Sequence, residues 1–259
     1  MKTNHILIAV LSALLISSFF IWRSIKKTGP GTITTQTIII GTNAEYPPFT
    51  FIQNDTIVGF DIDIAKEVFR RLKIKTEVKD MSYTSLIPAL QLDKVHVLAA
   101  GMTATPERAQ QVIFTNPYLK NDPLLVISLS KNTLINSVDE LTGKNIVVDE
   151  GYTSDRYMSN VPGIQLQRTT SPVQGFLVLR SGRADAYVIA RSSAQQFLQK
   201  YGEKEFNIFE IPDEKAKESY SLAISKKHPE LATKIQKTLN EMQSDGTIQK
   251  LRTKWKLSW

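Results

Sequence analysis

The chain has no cysteine in 259 residues. That excludes structural disulfides, a thiol nucleophile, thiolate zinc sites and a lipidated N-terminal cysteine. It leaves the compartment open. Histidine is scarce as well: His5, His96 and His228 are the only three. None of them groups with acids at the spacing of a metal site or a hydrolytic triad. No G-x-S-x-G string occurs, and Gly143-Lys144 is followed by Asn145, so there is no phosphate-binding Walker loop. Twelve glycines and eleven prolines are too few for a fibrous or low-complexity chain. No internal repeat is visible. An enzyme therefore has little support in the residues.

Charge of one sign is not concentrated either. The formal charge is +7, but Lys2, Arg23, Lys26 and Lys27 all fall in the first 37 residues, which hold no acid. The remainder carries +3 and has no basic stripe, so a nucleic-acid partner is not indicated. Hydrophobic residues make up 42% and charged residues 22%, an ordinary globular balance.

The first segment reads as an export signal. Lys2 precedes a long apolar run from Ile6 to Trp22, and Arg23, Lys26 and Lys27 follow it. The run is slightly long for a signal peptide and slightly short for a comfortable membrane span. The positive flank behind it suits an anchor. Residues 1–28 are therefore a cleaved signal peptide or an N-terminal anchor. The Gly/Pro/Thr-rich stretch at 29–37 is a linker.

Beyond the linker, strand and helix patterns alternate. Ile38-Ile39-Ile40 is a short buried strand ending in Gly41. Ala65, Val68, Phe69 and Leu72 lie at helical spacing over 61–72, with Asp61 as the expected cap. Further strands are expected at 76–78, 95–100, 124–128, 145–148, 164–167, 184–189 and 206–210. Helices are expected around 86–90 and at 154–160, 172–180 and 192–201, followed by a helical C-terminus. This alternation predicts mostly parallel sheets covered by helices on both faces. Ligands in such sheets bind beyond the carboxyl ends of the strands.

Three loops stand at those ends. The first is Gly41-Thr42-Asn43-Ala44-Glu45-Tyr46-Pro47-Pro48-Phe49, stiffened by two prolines. The second is Gly101-Met102-Thr103-Ala104-Thr105-Pro106-Glu107-Arg108. Thr105-Pro106 is a helix start, a capping hydroxyl and then proline at the first helical position. With Arg108 in the first turn and the Thr103 hydroxyl nearby, this loop is a candidate receptor for a carboxylate or phosphate. The third is Asp149-Glu150-Gly151-Tyr152-Thr153-Ser154-Asp155, where Thr153 and Ser154 are expected to cap a helix.

These strings, with Gly59-Phe60-Asp61-Ile62-Asp63, Leu86-Ile87-Pro88-Ala89-Leu90, Gly182-Arg183-Ala184-Asp185-Ala186 and Asp245-Gly246-Thr247 near the end, occur in a fixed order. The ordered set resembles the polar amino-acid family of periplasmic binding proteins, solute-binding protein family 3. It is most similar to the binders of arginine and other cationic amino acids. The resemblance covers residues 38 to 256. It implies a two-lobed periplasmic binding protein fold of type II, with two hinge strands near 119–123 and 214–218. Residues 38–120 and 217–259 would form a discontinuous lobe one, and 121–216 lobe two. It also implies capture of a free amino acid, arginine first among them, for delivery to a membrane ABC permease, with no cofactor and no chemistry of its own.

Carried over residue by residue, the resemblance puts the ligand carboxylate on Thr103, Arg108 and the backbone of Thr153, with the backbone at Gly101 and Met102 beside it. The ligand side chain falls between Tyr46 and Tyr83, where two aromatic faces suit a guanidinium. Asn43 stands where some members use an acid on the ligand's far end. Glu45 and Asp149 are acids expected to face the cleft. A glutamine-binding relative carries a lysine at the place of Asp149, and an acid there favours a cationic ligand. One departure concerns the ligand's amine: the aspartate that usually holds it is replaced by Ala190, followed by Arg191. Backbone carbonyls, Glu45, Glu218 or water are the remaining holders. A sensor or surface protein using the same cleft is the alternative reading, with a periplasmic enzyme behind it.

Overall fold

A computed structural model describes residues 37–257. The expected export segment and nearly all of the linker lie outside the described residues.

The first half opens with β1 (Ile38–Thr42), the short hairpin strands β2 (Glu45–Tyr46), β3 (Thr50–Gln53) and β4 (Thr56–Val58), and helix α1 (Phe60–Arg71). Then come β5 (Thr76–Asp80), a 3-10 turn at Tyr83–Ser85, α2 (Leu86–Gln91), β6 (Val97–Leu98), α3 (Pro106–Ala109) and β7 (Ile113–Phe114). The long strand β8 (Leu119–Leu129) leads into β9 (Asn145–Asp149), α4 (Thr153–Met158), β10 (Gln165–Thr169), α5 (Pro172–Arg180), β11 (Ala186–Ala190), α6 (Arg191–Tyr201) and β12 (Phe206–Glu210). The chain returns through β13 (Lys217–Tyr220) and β14 (Ala223–Ile224), and ends in α7 (Pro229–Ser244) and α8 (Thr247–Lys254).

Two main sheets result. One has the order β5-β1-β6-β14-β7, the other β10-β9-β11-β8-β12, with β13 pairing β8. Each keeps a parallel core of three strands: β1 runs parallel to β5 and β6, and β9 to β10 and β11. The strands that link the sheets enter antiparallel: β8 against β11, β12 and β13, and β14 against β6 and β7. The sheets are thus mixed rather than mostly parallel. The reason is connectivity, because the strands that pass between the two sheets run back along them.

Burial follows the expected periods. On α1, Ile62, Ile64, Ala65, Val68 and Phe69 are buried, while Glu67 and Arg70 pair on the outer face. Each such large apolar side chain contributes about 1.5–3 kcal/mol on burial. Along β8, Leu125, Ile127 and Leu129 face a core with Phe176, Tyr187 and Phe197, and Leu124 and Val126 face another with Ile146, Val148 and Met158. A sheet apolar on both sides needs helices on both sides, so it carries α5 and α6 on one face and α4 on the other.

Two expected caps are corrected. Gly59, not Asp61, stands at the N-cap of α1. The Asp61 carboxylate is buried and accepts the Gly101 N–H at 2.6 Å. At α4 the N-cap is Tyr152, and neither Thr153 nor Ser154 caps the helix. Asp155 takes the Gly151 N–H instead, at 2.9 Å. By contrast, Thr105 does cap α3, accepting the Arg108 N–H at 3.3 Å.

Candidate functional site

The parallel strands end facing one another. Asn43 follows β1, Tyr83 follows β5, Gly101 follows β6, and Gly151 to Thr153 follow β9. Short loops from both sheets therefore converge, and the side chains of all three loops meet in one buried cluster.

Arg108 is buried, and its guanidinium ties the two sides together. Nη1 donates to the Thr103 carbonyl and Nη2 to the Gly151 carbonyl, each at 2.7 Å. Its carbon lies 5.6 Å from the centre of the Tyr83 ring. Close to it, the Thr103 hydroxyl donates a short hydrogen bond to Glu218 Oε2, and the Thr153 hydroxyl donates to the same oxygen at 2.9 Å. Thr103 in turn accepts the Ser219 N–H at 3.1 Å. Burial raises the Glu218 carboxyl to about 7, against the lowering effect of the two threonines and Arg108.

The tyrosines form a second group. Tyr46 and Tyr83 are both buried, and the ring between them is Tyr152. Its centre lies 3.7 Å from that of Tyr83, with planes 19° apart, and 4.8 Å from that of Tyr46, with planes 36° apart. Its hydroxyl donates to Asn43 Oδ1 at 3.1 Å, while Asn43 Nδ2 donates to the Met81 carbonyl at 3.2 Å. Burial pushes the Tyr83 phenol up to about 12, and carries Tyr46 and Tyr152 well above the ordinary range. All three are neutral at physiological pH. Tyr152 belongs to the third loop, yet it makes the contacts expected of a ligand side chain. Its one signal in the sequence was a bulky ring directly after Gly151.

Gly101 explains how closely the first loop sits. Its φ is +59°, and a Cβ there would come within 2.8 Å of the Tyr46 ring. Met102 is buried, and its carbonyl accepts the Ser221 N–H at 3.0 Å.

The two acids separate. Glu45 is exposed, beside a crevice shared with Asn43, Asp80, Tyr83 and Glu150. Asp149 does not face the cleft as expected. It is 1% exposed, its Oδ2 accepts the Tyr187 hydroxyl at 2.5 Å, and its Oδ1 accepts Thr169 at 3.2 Å. The physical reason is that it continues the buried run Ile146-Val147-Val148 into a sheet with no solvent face. Burial raises its carboxyl to about 7. Across the strands that join the sheets, Glu218 is the register partner of Asp122. Asp122 is satisfied by the Ser192 N–H at 3.2 Å, the Ser192 hydroxyl and the Tyr220 hydroxyl at 2.7 Å.

Residues 38–258 match the model of the bacterial extracellular solute-binding proteins, family 3. The chain belongs to that family. Among curated relatives, the arginine-binding extracellular protein ArtP of Bacillus subtilis is 34% identical over 221 residues, 84% of this chain and 85% of that protein. The ABC transporter arginine-binding protein 1 of Escherichia coli is 29% identical over 249 residues, 95% of this chain and 97% of that protein. Among solved structures, an ancestral arginine-binding protein bound to arginine superposes with a TM-score of 0.79 at 35% identity, covering 86% of this chain and 99% of that one. An ancestral arginine-binding protein bound to glutamine gives a TM-score of 0.78. These neighbours share the two-lobed fold, and the family is one of solute binding rather than catalysis.

Proposed function

We propose that this chain captures a free amino acid with a cationic side chain, arginine first, and delivers it to an ABC permease from the extracytoplasmic side. The observation that carries the reading is the convergence of Arg108, Thr103 and Thr153 beside a slot walled by Tyr46 and Tyr83. A buried guanidinium with hydroxyls around it suits a carboxylate. Two facing rings suit a planar cation, at about 0.5–2 kcal/mol per face. Glu45, with Asp80 and Glu150 around the same crevice, supplies negative potential at the far end. Asp149, with its oxygens already engaged, acts in this reading by holding Tyr187 and Thr169. The names of the relatives point the same way.

In this reading residues 38–120 and 217–259 turn as one lobe and residues 121–216 as the other, about the paired strands β8 and β13. Residues 1–28 export the protein to the periplasm or hold it at the membrane. Opening separates Arg108 from Gly151 and Tyr152 from Tyr83, which admits the ligand.

A thermal-shift screen of the purified protein against the common amino acids tests this. At 100 times its dissociation constant a ligand adds about 2.7 kcal/mol, which raises the midpoint by roughly 5–10 °C for a chain of this size. Arginine is expected to give the largest shift, lysine a smaller one, and aspartate and glutamate none. A shift for none of them overturns the reading.

A further inference from the structure

The Glu218 carboxylate is the least explained group in the cleft. Its residue is 2% exposed, yet both threonine hydroxyls bond to the same oxygen, Oε2. Oε1 accepts no hydrogen bond among the described residues. No cation of the described residues forms an ion pair with it either, and the hydrogen bonds of the Arg108 guanidinium go to the Thr103 and Gly151 carbonyls. A buried carboxylate with a free oxygen and no counter-charge is costly unless something positive arrives.

Asp122 and Asp149 do not share this condition. Asp122 is held by Ser192 and Tyr220, and Asp149 by Tyr187 and Thr169. Asp61 also keeps an unpartnered oxygen, Oδ1, but it lies beneath the first sheet's loop, bonded through Oδ2 to the Gly101 N–H and to neither threonine. Only Glu218 touches residues from both loops that grip the ligand's carboxylate in the proposed function. It sits on β13, one of the two strands joining the lobes. In an α-amino acid the ammonium and carboxylate share one carbon. A carboxylate held at Arg108 and Thr103 therefore brings the ammonium to the group next to Thr103, which is Glu218.

We propose that Glu218 binds the ligand's α-ammonium group through Oε1, so that the site selects α-amino acids over carboxylic acids of the same shape. This rests on the reading that the cleft takes an amino acid. Arg108 and Asp122 are the charged groups acting on Glu218, and the phenols of Tyr46, Tyr83, Tyr152 and Tyr220 surround it. An arriving ammonium stabilises the ionised carboxylate, so binding near neutral pH releases a proton from a group held at about 7.

The experiment is calorimetric titration with arginine and with 5-guanidinopentanoate, which lacks only the α-amine. The wild-type protein is expected to prefer arginine by about 30-fold or more, as for a desolvated charge pair. Glu218→Gln, which keeps an oxygen for Thr103 and Thr153, is expected to lose most of that preference while binding 5-guanidinopentanoate within about threefold of wild type. Repeating the wild-type titration in buffers of different ionisation enthalpy reads the proton directly. Release with arginine but not with the desamino ligand is expected, and this holds even where the variant folds poorly. A Glu218→Gln protein that still discriminates as wild type does, or equal proton release with both ligands, overturns the assignment. A wild-type protein that binds neither ligand overturns the proposed function itself, and this inference falls with it.

Discussion

Arg108 Nη2 donates to the carbonyl oxygen of Gly151 at 2.7 Å, joining helix α3 to the loop after β9. The same guanidinium holds the Thr103 carbonyl at 2.7 Å. Arg108 is therefore a cross-brace between the loops as well as a candidate anion receptor.

Arg108→Ala is expected to weaken arginine binding by about 30-fold or more, the usual consequence of removing one member of a desolvated charge pair. Arg108→Lys is expected to restore only part of it. An ammonium is a point charge and cannot present the planar fork that now reaches two carbonyls. Calorimetric titration of both variants checks this, and an unchanged affinity for Arg108→Ala would remove the carboxylate from this place.

Tyr152→Thr is expected to raise the affinity for arginine, by on the order of tenfold, because each aromatic pair it gives up is worth about 0.5–1.5 kcal/mol. Lysine affinity is expected to rise by the same factor, since either side chain displaces the same ring. A fall in affinity would mean that Tyr152 contacts the bound ligand rather than competing with it.

Stability is expected to be greatest near pH 4 and to fall as the pH rises from there to 7. Burial holds Asp61, Asp149 and Glu218 at about 7 and Asp122 at about 6. Between their ordinary values and these, the folded chain binds more protons than the unfolded one, so stability falls as pH rises through that window. Glu67 and Asp245 are lowered to about 2 by Arg70 and Arg71, so their contribution is lost as pH falls below about 4. His96, lowered by burial, acts against the first group but is a single residue. Thermal midpoints without ligand from pH 4 to 8 read this directly. A midpoint that climbs steadily to pH 8 would contradict it.

Gly101→Ala is expected to destabilise the fold by about 1–3 kcal/mol, through a left-handed backbone and a Cβ placed against the Tyr46 ring. The midpoint would fall by roughly 2–12 °C. Arginine binding is expected to weaken as well, because the ring that must move forms one wall of the slot.

Elements with a strong local signal were legible: the face of α1, the strand run before Gly41, and the start of α3, capped by Thr105 with Pro106 following, all lie where their residues indicate. What local pattern could not carry was the destination of single polar groups. Asp61 looks the same as a cap whether it bonds its own helix or the N–H of Gly101, 40 residues away. Asp149 reads as a loop acid until the two-sided burial of its strand is known. The Ile146-Val147-Val148 run before it was the available signal. The hairpin of β2 to β4 was missed because its strands are too short to show alternation. The slot walled by Tyr46 and Tyr83 was placed by resemblance. Its occupant Tyr152 was not, since a ring's partner across a cleft leaves no mark on its neighbours in the chain.

That ring also bears on the thermodynamics of loading. With Tyr152 already packed between the two others, an arriving side chain exchanges with an apolar group instead of displacing water from an open slot. The net apolar area removed from solvent is then small, and so is the negative heat-capacity change that usually marks such burial. The enthalpy of binding would then change little with temperature through the slot.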